Sequence, residues 1–587
     1  MPGFYGVISN DNEKVSKVSA LKPVVNNDKL ITGELNGDSF YIYRYVNKKF
    51  LEDKVFFENE NYLIVTDGVL LNSSFLKKKY NQTFLYKTLI VMYERNGEDF
   101  FNEIRGSYSC LIYDKRKEKW LFYTDHIGDK KIYYMILDDG LLFGSRIIDI
   151  MRMAKKEGIN LSLDSESCVF ILTLGYMVDD RTTIKGIKRL IPGHYLRVEK
   201  GKIEVKKYHE FNNNPINQKS EDEIIEELDS LFREAVKLQF EKDKEYGYKH
   251  IASLSGGLDS RMVNYVAHEL GYKDILNYTF SQSNYLDEKI AKDIAVTLGH
   301  EFIFKTLDDA RFLLDIDQVI KINGGTSIYY GIAHSKNNIQ LLNLDNYGMV
   351  HTGQLGDVVV GSFLKRPVYE KNFDLTSYVY SVMYIEKLKN LNIRQYPNDE
   401  LFKMYNRGFN FALNGNLAFQ EYTESMSPFC NVDVLQYCLN IPLHLRVNHQ
   451  LYYKWIIRKY PKAADFIYES IKTKITSPKV YIKSKNFVIR AINKLLNTFR
   501  LPTLYGYNTK NGMNPFDYWY RTNNNLRNFI DQYYIDNIGL LDYLDQQNLK
   551  EMCENLFDKG ITVEKIQVLT ILGVTKLLFE VNDESDN

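Results

Sequence analysis

Residues 250–272 read HIASLSGGLDSRMVNYVAHELGY. "HIASLS" is a short, mostly apolar strand. From Leu258 onward Met262, Val263, Val266 and Leu270 recur on one helical face, and Gly271 supplies a C-terminal stop. Between strand and helix, Ser255, Gly256 and Gly257 carry little or no side chain, so their backbone N–H groups can approach an anion closely. The N-terminus of the helix adds partial positive charge at the same place. Ser255 and Ser260 offer hydroxyl donors. Asp259 is a carboxylate in an anion-seeking loop, which makes sense only if a cation such as Mg²⁺ bridges it to phosphate oxygens. A bare Gly-Gly turn would carry no chemistry, whereas Ser-Gly-Gly-Leu-Asp-Ser at a strand–helix junction does. It differs from the G-x-x-x-x-G-K-[ST] loop suited to γ-phosphoryl transfer.

Around this loop the pattern is regular. A long helix, "EDEIIEELDSLFREAVKLQF", precedes it. After it the strands "ILNYTFS", "EFIFKTL" and "YGMVHTG" alternate with helices, one of them from about Asp287 to Leu298. That order predicts a parallel sheet flanked by helices. From about residue 365 the chain reads as mostly helical, with "RTNNNLRN" as a loop and "QVLTILGVTKLLFEV" as an amphipathic or buried closing helix. Upstream, "YLIVTDGVLL", "YSCLIYD", "KWLFYTD", "KKIYYMILDDGLLFGS" and "GHYLRVEKGKIEVKKY" read as antiparallel strands, interrupted by the helices "TFLYKTLIVMYERNG" and "DSESCVFILTLG". The expected organisation is an α+β layered domain over 1–208, a linker over 209–220 marked by "FNNNPINQKSED", and an α/β domain with a helical extension over 221–587.

At 587 residues the chain exceeds the ~250–300 residues at which single cores stop growing. Lys+Arg and Asp+Glu both total 75, so net charge is zero and gives no footprint for non-specific binding to nucleic acid or acidic membranes. Local basic patches are left open. Five cysteines (Cys110, Cys168, Cys430, Cys438 and Cys553) show no metal-binding spacing and read as small buried apolar residues. The start lacks a signal-peptide pattern, and no apolar stretch approaches the ~18–20 residues of a membrane span. The expectation is a cytoplasmic protein of open oligomeric state.

The phosphate loop resembles the signature of the ATP-pyrophosphatases, which break ATP between the α and β phosphates. Over nearly its whole length the chain resembles the asparagine synthetase family. "GEDFFNEIRGSYSCLIYDKRKEKWLFYTDHIGDKKIYYM", "LLFGSRIIDI" and "PGHYLRV" are similar to its glutaminase domain, with Gly106, Asp114, Asp125, Gly128 and the Tyr133–Tyr134 pair in place. "GMVHTGQLGDVVVGSF", "SPFCNVDVLQYCLNIP" and "YESIKTKITSP" are similar to its synthetase segments. The resemblance implies an Ntn-hydrolase-like α+β sandwich followed by an α/β ATP-pyrophosphatase domain of the adenine nucleotide alpha hydrolase-like type, with a helical C-terminal part. It places Leu254, Ser255, Gly256, Gly257, Leu258, Ser260, Phe280, Thr352 and Gly353 against the nucleotide. Asp259 and Asp357 would share Mg²⁺ and pyrophosphate, and Lys472 would be the cation over the adenylate, with Lys474 the weaker choice. A substrate carboxylate would attack the α-phosphate of ATP, and a nitrogen nucleophile would then release AMP and an amide.

The departures are as informative. Glutaminases of this family use Cys at position 2, and here it is Pro2. Val69 replaces the glutamine-gripping Glu, and Leu85 stands where an acidic residue is expected. Gln354 replaces a Glu of the synthetase loop, leaving His351, His334, Tyr329 and Tyr330 as candidate bases. Arg261 adds a positive charge near the phosphate loop. The combination predicts an ATP-dependent, AMP-forming amide ligase acting on a small-molecule or peptide carboxylate with an amine not drawn from glutamine, as in the family's β-lactam synthetase and lasso-peptide cyclase branches. An ammonia-dependent asparagine synthetase and a nucleotide-binding pseudoenzyme are the alternatives.

Overall fold

Two six-stranded antiparallel sheets pack face to face in the first third of the chain, and their central strands are buried on both faces. A computed structural model describes residues 2–21, 30–216, 218–369, 379–499 and 501–583; Asn217, inside the expected linker, lies outside them. In one sheet Gly3–Ser9 lies between Gly140–Gly144 and Phe40–Asn47, and in the other Lys119–Thr124 and Tyr62–Leu70 flank Gly106–Asp114. Phe4, Ile42, Leu63, Leu111, Phe122, Phe143 and Leu196 fill the space between the sheets. Trp120 there stacks on Tyr113 with ring centres 4.0 Å apart. Helix Leu85–Asn96 covers one outer face; Asn12–Ser19, Ile147–Lys156 and Ser165–Leu174 cover the other. The result is an α-β-β-α layering.

The connection after residue 208 is fastened at several described residues. Phe211 is buried, Asn213 bonds Asn398 and Glu400, and Ile216 N–H donates to Asn440 O. Asn212 and Asn213 serve there as hydrogen-bonding groups to the second domain. Helix Glu221–Glu245 then starts on a capping box made by Ser220 and Glu223.

The second sheet system is parallel, in the order Glu301–Thr306, Ile275–Ser281, Lys249–Ser253, Tyr347–His351 and Ser425–Met426. The last strand, two residues long, leaves no readable alternation in the sequence. "RTNNNLRN" does not form the expected loop: Asn523 caps helix Asn524–Ile538 by accepting from Leu526 N–H. Asparagine favours caps and turns for the same hydrogen-bonding reason, and composition alone does not separate the two.

Helix Thr562–Asp583 is buried along most of its length and packs on Ile147–Lys156 and Ser165–Leu174 of the first domain and on Ile316–Asn323 of the second. Gln567 Nε2 donates to Ile171 O at 2.7 Å. Charge also crosses the junction. Glu424 pairs with Lys54 and Lys130 of the N-terminal domain, each at 2.8 Å, and Lys130 reaches Asp67 at 3.2 Å. All four side chains are buried. Burial alone would raise the Glu424 carboxyl, but the two ammoniums pull it down to about 2. Replacing Glu424 by Ala leaves the buried Lys54 ammonium without a carboxylate and Lys130 with Asp67 alone, and should cost about 3–5 kcal/mol in denaturant unfolding. The depressed carboxyl contributes stability present above its ordinary value of 4.5 and lost as pH falls toward about 2. The Glu424→Ala chain should lack that acid-sensitive component in melting curves.

Candidate functional site

Lys249–Ser253 is the switch point of the parallel sheet. From it the chain runs outward through Ile275–Ser281 to Glu301–Thr306, then returns to add Tyr347–His351 on the other side. Ligands in open α/β sheets bind where the carboxyl ends of the strands meet such a reversal. Here the two neighbouring strand ends deliver Ser255–Ser260 and Thr352–Asp357. Packing of the two is close. A Cβ on Gly353 would lie 2.3 Å from Ser260 N, so only glycine lets the second strand end reach the start of helix Leu258–Glu269.

A cleft of about 280 Å³ opens at this point. Ser255, Gly257, Asp259, Ser260, Phe280, Thr352 and Gly353 line it, together with His334 and Gln354. Thr352 Oγ1 and Gln354 Oε1 are buried there without a hydrogen-bond partner, polar atoms that a ligand would satisfy. Leu254 and Leu258 turn their side chains into the core, leaving only their main chain for contact. The loop amides are engaged rather than bare. Ser255 N–H donates to Ser260 Oγ at 3.0 Å, Gly257 N–H to Ser255 Oγ at 3.2 Å, and Gly256 N–H to Asp287 Oδ1 at 2.8 Å. Partly buried donors need partners; the loop supplies two of these and Asp287 the third. The two serine hydroxyls are partners that a phosphate oxygen could replace.

Asp259 and Asp357 stand side by side, with Asp357 N–H donating to Asp259 Oδ2 at 2.9 Å and Tyr452 OH to Asp259 Oδ1 at 2.8 Å. Burial, then the Asp357 charge, pushes the Asp259 carboxyl up to about 8. The nearby cations are committed elsewhere. Arg261, fully buried, donates to the carbonyls of Ala463 (3.0 Å), Ile467 (2.7 Å), Gly256 (3.2 Å) and Phe466 (3.4 Å). It ties the phosphate loop to the hairpin Ile467–Tyr468/Thr473–Lys474, which accounts for its charge without a phosphate. Two adjacent carboxylates with no ammonium between them form a donor set that fits a hard divalent cation.

Lys472 sits on that hairpin, behind the phosphate loop and outside the cleft lining. Its ammonium is held by Glu469 and stands 4.6 Å from the Tyr505 ring centre. Glu469 N–H in turn donates to Gly256 O at 3.1 Å. Lys474 is exposed and faces Asp465. Of the candidate bases only His334 lines the cleft. His351 is buried behind the sheet against Asp243 and Phe240, Tyr329 donates to Leu313 O, and Tyr330 pairs with Tyr380. Burial lowers His334 to about 4, so its ring is neutral near pH 7.

Two residues of this candidate site escape sequence reading. Asp287 reads only as a helix-start acid, yet it holds Gly256, with its carboxyl raised to about 6 by burial and by the Glu469 charge. Tyr452 lies 193 positions from the Asp259 it touches, and nothing local marks it. Replacing Arg261 by Met leaves several buried carbonyls unpaired. It should cost about 3 kcal/mol in denaturant unfolding and loosen nucleotide binding in calorimetry, while Arg261→Lys recovers part of both.

Comparison with known proteins identifies the family. Residues 53–209 match the family described as glutamine amidotransferase domain, and residues 227–391 match asparagine synthase. The chain is 23% identical over 274 residues to the glutamine-hydrolysing asparagine synthetase 1 of Bacillus subtilis, covering 45% of this chain and 42% of that protein. It is 21% identical over 337 residues to the glutamine-hydrolysing asparagine synthetase B of Escherichia coli, covering 52% and 53%. The matched region thus spans about half the length of these relatives. With an Ntn-type glutaminase-like domain followed by a synthetase domain, the chain belongs to the asparagine synthetase family.

Proposed function

We propose that this protein is an ATP-dependent ligase that adenylates a carboxylate, releases pyrophosphate and couples the acyl group to an amine not supplied by glutamine. The observation that carries this reading is the convergence of Ser255, Gly257, Ser260, Phe280, Thr352 and Gly353 on one cleft beside the Asp259–Asp357 pair. The serine hydroxyls and the helix N-terminus would hold the departing pyrophosphate. Asp259 and Asp357 would hold Mg²⁺, which when bound neutralises charge on the phosphate oxygens. Lys472 would serve once released from Glu469, swinging on its hairpin toward the adenylate.

Independence from glutamine is supported at the other end of the chain. Pro2 offers no thiol and is buried. Val69 packs beside Phe50 and Leu71, and Leu85 joins the core under helix Leu85–Asn96, so neither position presents a polar group to a substrate. With Gln354 unable to take a proton, His334 is the base of choice for the incoming amine, since its neutral ring faces the cleft.

The test is pyrophosphate–ATP exchange with Mg²⁺ and pools of carboxylic acids. Carboxylate-dependent exchange is expected, reduced about 10²–10³-fold in Asp259→Asn and Asp357→Asn. Nucleotide binding with no exchange in any pool would sink the ligase reading, and glutamine hydrolysis above background would sink the glutamine-independent part. His334→Gln should retain exchange while amide formation falls about 10²–10⁴-fold. A base lowered to about 4 is unprotonated above that pH, so the acid limb of amide formation should fall near pH 4 rather than near 6.5.

A further inference from the structure

Helix Lys479–Thr498 is 20 residues long and buries none of them. Isolated helices are marginal in water, and amphipathic helices in proteins draw most of their stability from an apolar face packed on something. This one has such a face and leaves it uncovered. Tyr481, Val488, Leu495 and Phe499 follow at steps of seven, seven and four residues, with Phe487 beside them. Phe487 is 73% exposed, Phe499 67% and Leu495 58%. Lys483, Arg490 and Lys494 run along the adjoining flank at the same steps. Only the opposite side, including Ile482, Ile489 and Leu496, is partly covered.

Charge around the helix is one-sided. Between Glu469 and Asp517 the sequence contains nine Lys or Arg residues and no Asp or Glu. The zero net charge of the chain therefore hides a segregated cationic segment. We infer that this helix docks the protein on an anionic phospholipid surface, lying in the interface with Phe487, Leu495 and Phe499 inserted and Lys483, Arg490 and Lys494 at the headgroups.

Three observations favour a bilayer over other occupants. The exposed apolar side chains lie on one helix that buries no residue, a stripe rather than a groove, which suits insertion into lipid better than gripping a peptide. A second copy would bring two wholly cationic segments together, at a cost in like-charge repulsion. Among the described residues no helix is long and apolar enough to cross a membrane, so the contact is interfacial. The helix also reaches the site, since Lys485 Nζ donates to Lys472 O at 2.7 Å. Docking would bear directly on the hairpin that carries Lys472.

The experiment is flotation of the full-length protein with vesicles of phosphatidylcholine alone or with about one-third phosphatidylglycerol. It contains no nucleotide or acyl substrate, so its outcome is independent of the ligase reading. Binding to the anionic vesicles alone, weakened by salt, is expected. Lys483→Glu/Arg490→Glu/Lys494→Glu should weaken it on the order of a hundredfold, and Phe487→Ser/Leu495→Ser should also release the protein. Both variants should melt like the parent, because all the substituted side chains are exposed. Equal partition onto neutral vesicles, no flotation at all, or retention on poly-glutamate without vesicle binding would overturn the inference. So would a concentration-dependent dimer that Phe487→Ser/Leu495→Ser abolishes.

Discussion

Two acidic residues joined by one main-chain-to-carboxylate hydrogen bond, just beyond the ends of neighbouring parallel strands, are the constraint around which the synthetase half is arranged. Asp357 donates its amide to Asp259, and burial with the neighbouring charge raises the Asp259 carboxyl to about 8. A protein that wanted stability alone would place an ammonium there. Instead Arg261 is spent on four main-chain carbonyls and Lys472 on Glu469. The uncompensated pair makes sense as a place prepared for a cation and an anionic ligand together, and the close approach at Gly353 and Gly356 presses both strand ends into that geometry.

The surroundings hold this pair from several directions. Tyr452 reaches Asp259 from a distant helix, and Asp287 grips Gly256 from the next crossover. Arg261 binds the loop to the hairpin behind it. The N-terminal domain is joined just as firmly, through the buried Lys54–Glu424–Lys130–Asp67 chain and through Lys49, whose ammonium donates to the carbonyls of Leu344, Asp345 and Tyr347. Buried charges of this kind add little net stability over an apolar contact, but breaking one partner is costly. The N-terminal domain is thus part of one packed body, and the closing helix Thr562–Asp583 is seated against both halves.

Much of this was legible beforehand where the signal was local. The strand and helix on either side of Ser255–Ser260 fall where the periodicity predicts, because hydrophobic spacing and glycine placement act within a few residues. Asn-rich segments were less legible. "RTNNNLRN" became a cap and a helix, because an amide side chain serves a loop, a cap or a buried bond equally well.

By itself the sequence determined the α+β and α/β layering, the phosphate loop, the missing thiol at Pro2 and the missing carboxylate at Gln354, since each depends on residue identity or short-range spacing. Only the tertiary structure decided that His334 rather than His351 faces the cleft, that Arg261 is a tether, and that Lys472 rests on Glu469. Those outcomes depend on which face of a strand or helix meets which neighbour hundreds of positions away, and no local pattern encodes that.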